Sequence, residues 1–127
     1  MKRTLLLICT LLCANVLFAQ SSFVIDSLRY SVISTNPPKV RVTGPYGSIT
    51  TANIPSTVTY QGTTYSVTSI RQYSFENCSS LTSVSIPNSV TSIETRAFKG
   101  CSSLRYVTIG NSITSIGDKA FYGCDIL

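Results

Sequence analysis

Between Ser66 and Leu127, apolar and polar positions recur with one fixed step, from i to i+23. Ser66-Val67-Thr68-Ser69-Ile70 returns as Ser89-Val90-Thr91-Ser92-Ile93, and again as Ser112-Ile113-Thr114-Ser115-Ile116. Phe75, Phe98 and Phe121 keep the same step, as do Cys78, Cys101 and Cys124, and Leu81, Leu104 and Leu127. A period of this length marks a solenoid, in which each unit leaves apolar side chains that only its neighbours can cover. Within one unit Leu104, Val107 and Ile109 are spaced L-x-x-V-x-I, and Val107 and Ile109 alternate about Thr108, which predicts a strand with one inward face. Leu81, Val84 and Ile86 repeat that strand, and Pro87-Asn88 and Gly110-Asn111 end the two copies. Val90 with Ile93, and Ile113 with Ile116, predict a second short apolar pair after the turn. Polar residues then lead into Ala97-Phe98 and Ala120-Phe121, a pattern that predicts a single helical or 3₁₀ turn across the back of each coil. Stacking such coils places their strands about 4.8 Å apart.

The segment 23–65 does not show this step. Phe23-Val24-Ile25 and Leu28 to Ile33 are rich in β-formers, and Asn36-Pro37-Pro38 signals a turn. Lys39-Val40-Arg41-Val42 alternates as a strand with one wet face, Gly44-Pro45-Tyr46-Gly47 breaks it, and Ile49 to Ile54 resumes. Val58-Thr59-Tyr60 and Thr64 to Val67 flank Gln61-Gly62-Thr63 and predict a hairpin. Four or five short strands therefore precede the repeats. A solenoid end exposes an apolar cross-section and unpaired backbone groups, so this segment is expected to act as an N-terminal β cap over 20–65. An independent small ligand-binding domain is the alternative, and about 43 residues give it a marginal core.

The start of the chain changes the compartment and the charge. Lys2 and Arg3 precede an apolar run from Leu5 to Phe18, interrupted at Thr10 and Asn15 and ended by Ala19. That order predicts a secretory signal peptide over 1–19, cleaved near Ala19–Gln20. The run falls short of the ~20 residues of a membrane span, so the mature chain is expected to be secreted or at the cell surface, with no stable span. An uncleaved anchor is the alternative. Lipid attachment at Cys9 or Cys13 is opposed by the bulky Ile8 and Leu12 before them. The whole chain carries ten basic and five acidic residues, and loss of Lys2 and Arg3 leaves eight against five, a net +3. Those eight are scattered rather than gathered in a run, which argues against nucleic acid as a partner.

Cleavage also reduces five cysteines to three, Cys78, Cys101 and Cys124, one per repeat. Coils in register stack them at one depth as a buried thiol ladder. Parallel side-chain vectors suit a disulfide poorly, and without histidine or a CxxC pair a metal site is weaker still. The absence of histidine removes Ser-His-Asp and Cys-His catalysis in their usual forms. Asp26, Glu76, Glu94, Asp118 and Asp125 fall on expected solvated turns, with no pair set across a cleft. No glycine-rich phosphate loop is present, and no cofactor is expected. Asn77-Cys78-Ser79 fits a glycosylation acceptor, but its middle residue belongs to the thiol ladder.

What remains is surface. Between the inward positions of the two repeat strands, Thr82, Ser83 and Ser85 in one coil and Arg105, Tyr106 and Thr108 in the next are expected to face out. Solenoids use such a strand-lined face for binding, and Tyr beside Arg is a composition favoured at contact hot spots. The bland reading of the same six side chains is an ordinary solvated strand surface.

Cys-Ser-Ser-Leu-x-x-Val-x-Ile, then Val-Thr-Ser-Ile, then Ala-Phe-x-Gly-Cys resembles the bacterial surface antigen type of leucine-rich repeat, the BspA-like family, over 66–127. The lead-in Ile54 to Tyr65 resembles the segment that commonly precedes its first repeat. Ser74, where the family prefers alanine, and Asp125-Ile126, in place of Ser-Ser, depart from the pattern. The resemblance implies a mostly β, right-handed leucine-rich-repeat solenoid, here with repeats at 66–88, 89–111 and an incomplete 112–127. It implies a secreted or surface protein of gut or oral bacteria or mucosal protists, adhesive toward host or extracellular proteins, and no enzymatic role. The alternative is a structural spacer or fragment of a longer surface protein with no binding of its own. Leu127 stands where a third strand motif begins, so self-association through an open C-terminal coil is a further expectation.

Overall fold

The structure, a computed structural model, describes residues 21–127. The expected signal peptide, with Cys9 and Cys13, lies outside the described residues. Ten strands are present among them: β1 (Ser22–Ile25), β2 (Leu28–Thr35), β3 (Pro38–Pro45), β4 (Thr51–Asn53), β5 (Thr57–Tyr60), β6 (Thr63–Ile70), β7 (Ser83–Ile86), β8 (Ser92–Ile93), β9 (Tyr106–Ile109) and β10 (Ser115–Ile116). They form two sheets. The larger runs β1-β2-β3-β6-β8-β10, with β5 also paired to β6, and the smaller runs β4-β7-β9. Among the described residues no helix is long and apolar enough to cross a membrane.

The repeat step becomes the stacking step. Ser69-Ile70 pairs in parallel with Ser92-Ile93, which pairs with Ser115-Ile116. Ser83 to Ile86 pairs in parallel with Tyr106 to Ile109. Leu81, Val84, Ile86, Val90, Ile93 and Leu104 are all buried, as the alternation required. In the last coil the same positions open to solvent: Ile109 is 41% exposed and Ile116 53%, because no further coil covers them among the described residues.

The crossing between the sheets has the i→i−3 hydrogen bonds of a 3₁₀ turn but does not wind into a helix. Ser74, Glu76 and Cys78 donate to Arg71, Tyr73 and Phe75 within their own coil. The intervening N–H groups of Tyr73, Phe75 and Asn77 donate instead to Thr95, Ala97 and Lys99 of the next coil, at 2.7 to 3.1 Å. Arg96, Phe98 and Gly100 repeat this toward Asp118, Ala120 and Tyr122. Positive φ at Tyr73, Asn77, Arg96, Gly100, Lys119 and Gly123 produces the alternation, since a helix would turn every N–H back on its own chain.

The N-terminal segments are hairpins that extend the larger sheet. β1 and β2 are joined by Asp26-Ser27, and β5 and β6 by Gln61-Gly62. Both central residues of each loop have positive φ, the requirement of a type I′ turn. β3 then pairs in parallel with β6, bringing Val40 beside Val67. β6 crosses the boundary expected at 65/66: its first half pairs with β5 and its last residues pair with β8. Phe23 stacks on Tyr60 at 4.2 Å between centroids and on Tyr30 at 5.7 Å, closing the core at this end.

Candidate functional site

The smaller sheet carries the surface that the sequence singled out. Its register aligns Thr51 with Ser83 and Tyr106, Ala52 with Val84 and Val107, and Asn53 with Ser85 and Thr108. The middle row points inward, with Ala52 and Val84 buried and Val107 half-buried. The two flanking rows therefore point outward, because successive side chains of a strand alternate between faces. Ser85, Tyr106 and Thr108 are exposed and Ser83 is half-buried.

Thr82 stands just before β7 and Arg105 just before β9. The Arg105 N–H donates to the Thr82 carbonyl at 2.9 Å, and the Thr82 N–H and hydroxyl both donate to the Thr50 carbonyl, at 2.7 and 2.9 Å. The Thr82 hydroxyl is thus committed to holding two coils together. The Ser83 hydroxyl lies 3.4 Å from that of Thr51. Tyr106 is 70% exposed, the highest value among the exposed large apolar and aromatic side chains of the described residues. With Arg105 and Ile126 it lines a hollow of about 310 Å³.

Thr51 and Asn53 complete this face and were not among the candidates. A signal for them exists. Thr51-Ala52-Asn53-Ile54-Pro55 parallels Ser83-Val84-Ser85-Ile86-Pro87 at an offset of 32 positions rather than 23. The β5–β6 hairpin lengthens that coil, so the strand pairs in register while the step changes.

The cysteines form the expected column. All three are free thiols; Cys101 is buried, while Cys78 and Cys124 at the ends are half-buried. The Cys101 thiol donates to the Phe75 carbonyl at 3.1 Å and that of Cys124 to Phe98 at 3.2 Å. Burial, then the neighbouring Cys124 and Cys78, push the Cys101 thiol up to about 12. Burial also raises Cys78 and Cys124. Thiols held protonated are poor nucleophiles and poor metal ligands.

Two acids depart from the solvated-turn expectation. Glu94 is half-buried, accepts the Gln72 N–H at 2.9 Å and lies 3.9 Å from the Arg41 guanidinium. Glu76 is also half-buried and pairs with Lys99 at 3.5 Å. Each carboxylate stitches neighbouring coils. Asp26, Asp118 and Asp125 are exposed, as expected.

Residues 68–127 match the BspA type leucine-rich repeat region. No curated protein matches the sequence. Among solved structures, the chain is similar to a leucine-rich repeat protein from Bacteroides capillosus, with 30% identity and a TM-score of 0.77 over 85% of this chain and 79% of that one. It is similar to a leucine-rich repeat protein from Bacteroides ovatus, with 36% identity and a TM-score of 0.77 over 83% of this chain and 28% of that one. It is also similar to a leucine rich cell surface protein from Faecalibacterium prausnitzii, with 32% identity and a TM-score of 0.73 over 84% of this chain and 29% of that one. The chain thus spans most of the first of these and under a third of the other two.

Proposed function

Because this chain belongs to the BspA-type leucine-rich repeat family, we propose that it is a non-catalytic binding module outside the cell, adhesive toward an extracellular or host surface protein. The observation that carries this reading is the outward face of the β4-β7-β9 sheet, where Tyr106 stands 70% exposed beside Arg105. A large ring held on a strand loses little entropy when covered, and a guanidinium next to it supplies directional hydrogen bonds. Ser85, Thr108, Thr51 and Asn53 supply a small, polar surround that a partner can approach closely. The surface location draws support from the name of the Faecalibacterium neighbour and from the leader-like stretch between Met1 and Ala19.

The test is saturable binding of the chain to immobilised matrix and host surface proteins, repeated with Arg105→Ala/Tyr106→Ala. Loss of more than about tenfold in affinity is expected, the scale of a hot-spot pair. An unchanged affinity would remove this face from the binding site.

The last coil favours a second reading, self-association. Ile109, Ile116, Ile126 and Leu127 are apolar side chains each at least 41% exposed. A second copy seated there would give a dimer mass in light scattering, reverting to monomer with Ile116→Lys. Monomer mass at every concentration would dismiss this reading and leave the module acting alone, as a binder or as a spacer.

A further inference from the structure

A second cleft lies on the outer face of the larger sheet, away from the surface just described. Its volume is about 530 Å³, and Ser22, Arg29, Ser31, Thr43, Tyr46 and Arg71 line it. They come from separate parts of the chain. Ser22 and Ser31 face each other across β1 and β2, because Phe23 and Tyr30 of the same strands turn inward. Thr43 follows the buried Val42 on β3. The Arg71 N–H donates to the Val42 carbonyl at 2.9 Å, which seats the end of β6 beside Thr43. The Tyr46 N–H donates to Ser27 at 2.8 Å, and the Arg29 guanidinium lies 5.2 Å from the centre of the Tyr46 ring.

Arg29 and Arg71 are the charged residues of the lining. None of its lining residues is acidic. The ion pairs among the described residues use Arg41 and Lys99, leaving Arg29 and Arg71 without a carboxylate partner. Two arginines lining one hollow suit the planar or tetrahedral oxyanions of carboxylate and sulfate. Three hydroxyls beside them can donate or accept. Tyr46 is 59% exposed, and its free ring surface offers a flat apolar patch.

We propose that this cleft binds an anionic saccharide, its sulfate or carboxylate held between Arg29 and Arg71 and a sugar ring laid against Tyr46. A peptide strand fits less well. Strand addition would use the free edge of β1, whereas the arginines and hydroxyls of the cleft stand on the face of the sheet. A sugar needs no such edge: hydroxyl partners, one flat ring and a charge clamp are the chemistry present. This site is independent of the Arg105–Tyr106 face and stands or falls separately.

The experiment is calorimetric titration of the full chain with a heparin-derived tetrasaccharide, its desulfated carboxylate-only counterpart, a neutral tetrasaccharide and inorganic sulfate. Saturable one-to-one binding of a charged saccharide and none of the neutral one are expected, and the stronger of the two charged ligands identifies the anion. Arg29→Gln/Arg71→Gln should weaken binding at least about tenfold, as loss of charge-assisted hydrogen bonds implies. Arg105→Gln should leave it unchanged. Tyr46→Ala should weaken the saccharide but not inorganic sulfate, and it carries the test if the double variant melts early. Absence of saturable binding, equal loss in Arg105→Gln, or displacement by inorganic sulfate at equal concentration would each overturn the proposal.

Discussion

Phe75 and Phe98, one repeat step apart, stack with ring centroids 5.0 Å apart and planes 5° from parallel. Phe98 and Phe121 repeat the arrangement at 5.2 Å and 4°. Aromatic pairs left to themselves favour offset or edge-to-face geometry. Here the backbone ladder fixes the spacing at nearly the strand separation of a sheet, and the rings follow. Phe75 and Phe98 are fully buried, while Phe121 at the end of the column is half-buried.

Position in the column should set the cost of truncation. Phe98→Ala is expected to remove about 3–5 kcal/mol, since both of its ring faces lose a partner. Phe121→Ala should cost clearly less. Urea unfolding of the two variants decides this, and equal costs would contradict a stack that is closed in the middle and open at the end.

Ser74 takes a position where an alanine was expected, and its hydroxyl donates to the Val42 carbonyl at 3.1 Å and also reaches the Arg71 carbonyl. The first ties the repeat to β3. Ser74→Ala is expected to destabilise by about 0.5–1.5 kcal/mol, the net worth of a buried hydrogen bond. A variant as stable as the parent in thermal melts would mean that the backbone alone holds this junction.

Two glycines with positive φ separate strain from contact. At Gly47, φ is +85° and an added Cβ meets nothing, so Gly47→Ala should cost about 1–2 kcal/mol from backbone conformation alone. At Gly44, φ is +143° and the Cβ would lie 2.5 Å from the Ser74 carbonyl oxygen. Gly44→Ala must therefore also push β3 off the first turn of the repeat, and should lower the melting temperature further. The reverse order would show that this junction is soft.

Alkali should loosen the fold through its thiols. Burial, then the neighbouring Cys124 and Cys78, push the Cys101 thiol from an ordinary 9.0 up to about 12. A raised value means that the folded state favours the protonated thiol. Its contribution is complete below about pH 9 and is lost as pH rises from there toward 12. Tyr30, pushed up to about 12 by burial and by Asp26, acts in the same direction from about pH 10. Stability measured between pH 8 and 10 should fall, and Cys101→Ala should fall less steeply. At pH 8 an alkylating reagent should modify Cys78 and Cys124 before the buried Cys101. Simultaneous modification of all three would require the stack to open as a unit.

The fixed repeat step and the alternation within it determined the stacked coils, the thiol and phenylalanine columns, and the outward side chains of β7 and β9. Gln61-Gly62 marked its hairpin because a type I′ turn needs positive φ and glycine adopts it without strain. Asp26-Ser27 makes the same turn without glycine, so no such signal stood there. The two carboxylates that stitch coils read as solvated turns, because their partners, Arg41 and Lys99, come from other strands and coils.

Periodicity reports which face of its own element a residue occupies, and nothing about which distant element lies beside it. Only the tertiary structure paired β4 with β7, across a longer step than the repeat, and so added Thr51 and Asn53 to the candidate face. Only it joined β3 to β6, and so set the N-terminal hairpins in one sheet with the repeats. In the sequence Arg29, Tyr46 and Arg71 are three unrelated residues among scattered charges. They meet because β1, β2 and β3 share one sheet and a backbone hydrogen bond seats Arg71 against it. Local pattern is enough where every contact is repeated at one step; where contacts join segments of different step, the packing of the whole chain decides them.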